Sequence, residues 1–467
     1  MIAIDKVKIP EQVRTIIETL EERGFEAYAV GGCIRDSLLG KEPSDWDITT
    51  SAKPGEVKAC FKKTIDTGIQ HGTVTVLMPG RKSYEVTTFR VDGKYSDGRH
   101  PDEVIFSPSL HEDLSRRDFT INALVYSESK GLIDDFEGLK DLQMGIIRAV
   151  GDPLRRFGED ALRIMRAFRF AAQLIFTIEK DTRAAASKLA ENLRQISAER
   201  IRVELEKLIV SPDPSLLRDM YEAGITKVIL PEFDACMERP QRHPHHDRSV
   251  GEHIIKTIQS IEPRDSLGFS DFSDNQRKIL CLAALLHDIG KPLTHSVDSE
   301  GIDHFHGHAA KSTELALEIL RRLKYDNDTI RSVGKLVQYH DAKPPLQASS
   351  IRRLMNEVGA ELFPMLLTLQ RADVLAQSDY KRAEKLEYLS GSEGVYRDIL
   401  ARKDCLHTKD LAVNGKDLME IGIEKGPGIG KILKGLLEMV LEDPECNKKD
   451  YLLKKAMEIE KALGNIG

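Results

Sequence analysis

Apolar and polar positions alternate in four short stretches near the start of the chain. FEAYAV (25–30), ITT (48–50), HGTVTVLM (71–78) and SYEVTTFR (83–90) are rich in β-branched and aromatic residues, a composition that predicts strands. Ahead of them, EQVRTIIETLEER (11–23) repeats its apolar positions every three or four residues, as an amphipathic helix does. From GEDALRIMRAFRFAA (158–172) onward the helical period persists for roughly 300 residues. Two stretches punctuate it. PEFDACMERPQRHPHHDRS (231–249) is a Pro- and His-rich junction, and TKDLAVNGKDLMEIGIEKGPGIGKIL (408–433) is a Gly-broken connector between short helices. The pattern predicts an α+β chain, a small mixed-sheet head followed by all-α domains. Its expected divisions are a head over 1–150, a helical neck over 151–230, a helical domain over 231–400 and a helical tail over 401–467.

At 467 residues and 52.4 kDa the chain exceeds what one core serves, in keeping with several domains. A composition 41% hydrophobic and 31% charged is that of a soluble, largely helical protein. No apolar run approaches the ~20 residues of a membrane span, and MIAIDKVKIPEQ lacks the basic-then-apolar start of a secretion signal. The six cysteines are scattered without a CxxC pair, which argues for reduced thiols, against a zinc ribbon and for the cytoplasm. With a net charge of −7, a nucleic-acid partner must meet locally basic surface.

PSDWDITT (43–50) holds Asp45 and Asp47, two apart. Strand alternation puts both carboxylates on one face and Trp46 on the other. Adjacent carboxylates repel unless a cation lies between them, and oxygen ligands of this kind suit Mg2+. Upstream, Gly31 and Gly32 of GGCIRD read as a tight turn opening a helix, where the Gly32 backbone and Arg35 would cradle phosphate. A Gly-rich phosphate turn with a DxD strand is a layout for two-metal phosphoryl transfer, Asp45 and Asp47 being its catalytic pair. DxD alone also fits a solvated strand end. Glu85 in SYEVTTFR fits either a third carboxylate or a surface strand position.

GGCIRD, the DWDIT run, SRRDFTINALVY (115–126), GEDALRIMRAFRF (158–170) and ERIRVELEKLI (199–209) follow one another in that order. Together they resemble the ordered motifs of the class II tRNA nucleotidyltransferase and bacterial poly(A) polymerase family, within the DNA polymerase β-like superfamily. The likeness covers roughly residues 20–230. It implies a polymerase β-like head that adds nucleotides from CTP and ATP to the 3′ acceptor end of tRNA, with Mg2+ on Asp45 and Asp47.

Arg116 and Arg117 offer guanidinium forks to phosphate, while Asp118 and Asn122, four apart, suit either a ribose or a helix cap. The resemblance makes Arg117 a nucleotide-binding arginine, and Asp118 and Asn122 sugar-side contacts. In GEDALRIMRAFRF, helical spacing sets Asp160 beside Arg163, with Arg166 and Arg169 continuing along that face. A surface ion-pair helix has the same spacing. A carboxylate and a guanidinium side by side nevertheless match the amino group and ring acceptor that cytosine and adenine both present. Uracil and guanine invert both contacts, and unpaired buried polar groups of that kind reject strongly. The resemblance assigns the base-reading face to Asp160, Arg163, Arg166 and Arg169, with Glu159 and ERIRVE as supports.

VDGKYSDGRHPDEV (91–104) is a polar, Gly-punctuated loop. In the family such a loop marks enzymes that complete CCA or add A, and CC-only relatives lack it. RAVGDPLRRFGEDALRIMRAFR (148–169) carries six arginines against three acids, a basic surface for an acceptor stem. KGPGIGKILKG (425–435) would offer backbone amides and lysines to phosphates, or simply start a helix; Lys425 and Ile432 stand where a P-loop needs Gly and Ser or Thr.

A second constellation lies downstream. His253 in SVGEHIIKTI, His287 and Asp288 in LLHDIGKP, and Asp373 in LQRADVLAQ have the residue types and helical setting to converge on one divalent metal. This resembles the HD phosphohydrolase superfamily, and His304, His306, His308 and His340 are further candidates for a second ion. The expected activity is therefore nucleotide addition by the head, joined to an HD metal site. Rivals are an A-adding enzyme or poly(A) polymerase with the same head, and an HD phosphohydrolase whose head only binds RNA.

Overall fold

The computed structural model describes residues 7–93, 104–242, 245, 248–262 and 271–464. Its contacts divide the chain into two compact units, one ending at Asp234 and one starting at Ala235.

In the first unit, α1 (Glu11–Glu22) turns Val13, Ile16, Ile17 and Leu20 inward, the one-face spacing that its sequence period demands. It leads to a seven-stranded mixed sheet. The strands are β1 (Ala27–Val30), β2 (Asp47–Thr50), β3 (Thr64–Gly68), β4 (Thr73–Met78), β5 (Lys82–Thr88), β6 (Val125–Ser127) and β7 (Gly131–Ile133). Their order is β3-β4-β5-β2-β1-β6-β7, antiparallel except where β2 and β5 run side by side in parallel. All four residues of β1 are buried, which makes it the spine of the head. α2 (Gly32–Leu38) follows it after a single residue.

The α+β architecture is the one expected, and all four predicted strands form. β3, β6 and β7 were not anticipated. β3 exposes Ile65, Asp66 and Thr67 at the sheet edge, so it carries no alternation, and the other two are three residues long. The expected loop at 91–104 leaves from Arg90–Asp92, which pairs with Val104–Phe106; its residues 94–103 lie outside the described ones. Four residues of the His-rich junction, 243, 244, 246 and 247, do so as well.

Three helices complete what positions the site: α3 (Pro153–Glu159), α4 (Leu162–Leu174) and α5 (Ala198–Ile209). The GEDALRIMRAFRF stretch is therefore not one helix. Asp160 breaks it with extended backbone (φ −140°, ψ 103°) and accepts at Oδ1 from the Leu162 N–H at 3.0 Å. Phe168, Met165 and Ile164 of α4 are fully buried, as are Leu205 and Leu208 of α5.

The second unit is a set of helices, among them α6 (Val250–Gln259), α7 (Asp274–Leu286), α8 (His308–Arg322), α9 (Asn327–Tyr339) and α10 (Phe363–Ala376). α7 is buried continuously from Ile279 to Leu286, as its unbroken apolar run requires. Ile351, Phe363 and Tyr396 share one core with Leu436 and Leu452, so the residues past 401 close over the preceding helices. KGPGIGKILKG is a helix start: Gly426 is the cap and Pro427 opens a helix to Glu442. Among the described residues no helix is long and apolar enough to cross a membrane.

Candidate active site

The turn from β1 into α2 is built on Gly31. Its backbone (φ 82°, ψ −127°) lies in a region that glycine enters freely and L side chains avoid. A Cβ there would also come 3.1 Å from Arg117 Nη1, so the guanidinium packs directly on the turn. One helical turn on, Arg35 is buried and donates from Nη1 to Asn122 Oδ1 (2.7 Å) and from Nε to Asp36 (2.8 Å). Asn122 Nδ2 donates to Asp118 Oδ1 at 3.0 Å, and Arg166 Nε to Asp118 Oδ2 at 2.8 Å. Four expected nucleotide contacts, Arg35, Asn122, Asp118 and Arg166, thus form one hydrogen-bonded chain. Burial would raise the Asp118 carboxyl, but Arg166, with help from Asn122, holds it well below the usual range.

Asp47 is the first residue of β2, in register with Val30 on one side and Glu85 of the parallel β5 on the other. Asp45 lies just before the strand, so strand alternation does not itself align the pair, contrary to expectation. Both carboxylates still line one cavity of about 300 Å3, together with Gly32, Arg35, Arg117 and Arg169. The Asp47 carboxyl opens on this cavity, yet its pKa is raised. Crowding by protein is the main cause; Arg117 pulls it back, and the like charge of Asp45 adds to the rise.

Asp160 and Arg163 do not pair with each other as the helical spacing predicted, because the chain breaks between α3 and α4. Asp160 Oδ2 accepts from Arg200 Nη2 of α5 at 2.8 Å. Arg163 donates to Glu159 (3.0 Å) and to the carbonyls of Arg156 (3.1 Å) and Arg116 (2.9 Å). Arg169 donates to Glu204 of α5 at 2.7 Å, and the two side chains are almost wholly buried. So Glu159 and ERIRVE, expected as supports, hold three of the four residues expected to form a base-reading face. Asp113 was overlooked: fully buried, it accepts from Arg116 at 2.7 Å and lies 3.6 Å from Arg117. Its spacing to both arginines, three and four residues on a helix, was the available signal.

In the second unit His253, His287, Asp288 and Asp373 do converge. His253 Nε2 lies 2.9 Å from Asp373 Oδ1 and 3.3 Å from His287 Nε2, and His287 Nε2 lies 3.2 Å from Asp288 Oδ2. His308 and His340 reach the same cluster, whereas His304 turns to Asp298 (2.7 Å) and stacks on His306.

Over 447 residues the chain is 37% identical to the CCA-adding enzyme of Levilactobacillus brevis, covering 95% of this chain and 96% of that one. The chain belongs to the CCA-adding enzyme family. The CCA-adding enzyme of Limosilactobacillus reuteri is similarly related, at 37% over 97% of both chains. Residues 27–148 match the family model "Poly A polymerase head domain", 175–237 match "Probable RNA and SrmB- binding site of polymerase A", and 305–456 match tRNA nucleotidyltransferase domain 2. The crystal structure of the Bacillus stearothermophilus CCA-adding enzyme in complex with CTP superposes with a TM-score of 0.71 at 29% identity, over 99% of this chain and all of that one. The family resemblance read from five motifs therefore extends over the full chain.

Proposed function

We propose that this chain builds the 3′ end of tRNA from CTP and ATP without a nucleic-acid template. The observation that carries the reading is one cavity holding Asp45 and Asp47 against Arg35, Arg117 and the Asp118–Asn122 pair. Nucleotidyl transfer in this family relies on divalent metal, and we assign Mg2+ to Asp45 and Asp47. The raised Asp47 carboxyl, pushed up in part by Asp45, is a charge conflict that a cation between them relieves. When bound, Mg2+ would neutralise triphosphate charge and favour ionisation of the attacking hydroxyl.

The side chains themselves divide the remaining work. Arg117 and Arg35 bind the triphosphate beside the Gly31–Gly32 turn. Asp118 and Asn122 take the ribose. Asp160 keeps lone pairs for an exocyclic amine beyond those given to Arg200 and Leu162. Arg163 has five N–H donors, of which three are committed. Arg166 and Arg169 border the cavity from α4. In this division 1–150 catalyses, 151–230 reads the base and holds RNA, 231–400 carries the HD metal site and 401–467 contacts RNA. We place the enzyme in the cytoplasm with tRNA as partner, and assign one divalent metal to His253, His287, Asp288 and Asp373.

The test is extension of three tRNAs, ending before the first C, after CC and at complete CCA, each with CTP, ATP or both. Growth of the shortest by three nucleotides and then arrest is the expected result. One A added only to the CC-ended tRNA would make this an A-adding enzyme, and long A tails a poly(A) polymerase. Asp45→Ala with Asp47→Ala should abolish addition; persistence of addition would overturn the assignment of the site.

A further inference from the structure

Asp45 and Asp47 line two cavities. The one of about 300 Å3 that Gly32, Arg35 and Arg117 border adjoins a larger one of about 810 Å3. Apart from Ser44, Asp45 and Asp47 the two linings have no residue in common, so the cavities meet at the carboxylates. The wall of the larger one includes Trp46, Glu85 of β5, and Arg81 and Lys82 of the β4–β5 hairpin. Trp46 is the chain's one tryptophan. It is half-buried and, among the described residues, makes no ring contact and no hydrogen bond. A large aromatic ring without a partner, set beside a charged site, is a free stacking surface.

The hairpin supplies positive charge. Its turn, Pro79–Arg81, holds Arg81 at φ 62°, in the left-handed region that a side chain enters only with strain. Arg81 and Lys82 are both exposed, and among the described residues neither is engaged in an ion pair. Two unpaired cations thus border a cavity that also carries Asp45, Asp47 and Glu85. The acids alone would repel RNA, and the cations give its phosphates a place to bind.

We propose that this second cavity receives the acceptor end of the RNA: Trp46 stacks on the terminal base, and Arg81 and Lys82 hold the phosphates behind it. The proposal rests on the assignment of the triphosphate to Arg35 and Arg117. In phosphoryl transfer the attacking and leaving oxygens lie roughly in line through phosphorus. With pyrophosphate leaving toward those arginines, the 3′ hydroxyl must approach from the other side of Asp45 and Asp47. Its oxygen bonds to the α-phosphorus as the bond to pyrophosphate breaks, and its proton passes to water. The wall also suits a substrate whose last base changes with each addition. Stacking accepts any base, since each has a π face, and phosphate contacts carry no sequence information. A hydrogen-bonding pocket would reject some of the ends that have to be extended.

A single tryptophan makes the test direct. Fluorescence of the full-length chain is titrated with tRNA ending in CC, with the same tRNA cut back past its unpaired acceptor nucleotides, and with CTP or ATP alone. Filter binding confirms that both tRNAs are bound. Saturable quenching by the CC-ended tRNA is expected, with little from the shortened tRNA or from either nucleotide. Equal quenching by the two tRNAs, or quenching by CTP or ATP alone, would overturn the placement. In steady-state addition, Trp46→Ala and the double substitution Arg81→Ala with Lys82→Ala should each raise KM for tRNA about tenfold and leave KM for CTP and ATP unchanged. Trp46→Phe keeps a π face and should stay near the wild type, whereas Trp46→Leu, apolar without one, should behave as Trp46→Ala does. Like behaviour of the Phe and Leu variants would reduce Trp46 to packing and sink the stacking role. Unchanged KM for tRNA in the variants, with wild-type addition intact, would remove the acceptor site and leave the nucleotide cavity standing. A wild-type chain that extends no tRNA would overturn the reading on which both rest.

Discussion

Arg200 Nη2 of α5 donates to Asp160 Oδ2 at 2.8 Å, joining two motifs forty residues apart in the chain. Asp160 stands outside any helix, so this contact and the Leu162 N–H are what hold its carboxylate in place. Arg200→Gln keeps some bulk but removes the charge. We expect it to lower kcat/KM for CTP and ATP about tenfold, equivalent to the ~1.4 kcal/mol of a partly buried charged hydrogen bond. UTP and GTP misincorporation should rise relative to CTP and ATP. Single-turnover incorporation of all four nucleotides measures this, and a uniform fall across the four would assign Arg200 to stability alone.

Asp47 and Glu85 lie opposite each other on the two parallel strands, so their side chains share a face of the sheet. Asp47→Asn should reduce nucleotide addition by a factor of ~1,000 or more without loss of melting temperature, because the substitution removes a carboxylate already disfavoured by crowding and by Asp45. Mg2+ should raise the melting temperature of the wild type and not of Asp47→Asn. Glu85→Gln tests the neighbouring carboxylate: a loss above tenfold in kcat at saturating Mg2+ gives it a part in metal binding, and unchanged kinetics leave it a strand residue.

Gly31 combines a positive φ with the Arg117 guanidinium 3.1 Å from where a Cβ would lie. Gly31→Ala therefore strains the backbone by ~1–2 kcal/mol and displaces Arg117 from the turn. The expected phenotype is a modest fall in melting temperature with a rise in KM for both CTP and ATP. Gly32→Ala is the control, since the nearest atom to its Cβ would be Arg35 Nη2 at 3.7 Å, an ordinary contact. Equal effects of the two substitutions would remove the argument from the turn.

The elements whose residues face a core on a regular period were legible in the sequence. The stripe of α1 and the β-branched runs of β2, β4 and β5 were read directly. The edge strand β3 was not, because solvent on its exposed side removes the alternation. Of the candidate site residues chosen by type, Asp45, Asp47, Arg35, Arg117, Asp118 and Asn122 all border one cavity. Their pairing was not. A helical wheel predicted Asp160 with Arg163, but Asp160 takes extended backbone, and each residue finds a partner on another segment. The same holds for His308 and His340, whose meeting depends on the packing of α8 and α9 rather than on any spacing along the chain.

Asp118 provides a pH-dependent test of the pairing that borders the cavity of Asp45 and Asp47. Its carboxyl is nearly buried and pairs with Arg166, whose side chain is 35% exposed. Asp118→Asn leaves that guanidinium without its partner. A fully buried pair broken this way costs ~3–5 kcal/mol, and the exposure of Arg166 lowers the expectation to about 2 kcal/mol. The sign of the pH effect follows from the depressed carboxyl: the folded state ionises it below the ~3.9 of an unfolded aspartate. The pair's contribution is therefore complete above about pH 4 and is lost as pH falls from there toward the folded value. The difference in melting temperature between wild type and Asp118→Asn should stay constant from pH 8 to 5 and narrow between pH 4 and 3. A gap that persists undiminished at pH 3 would mean that packing, not the charge pair with Arg166, is what Asp118 contributes.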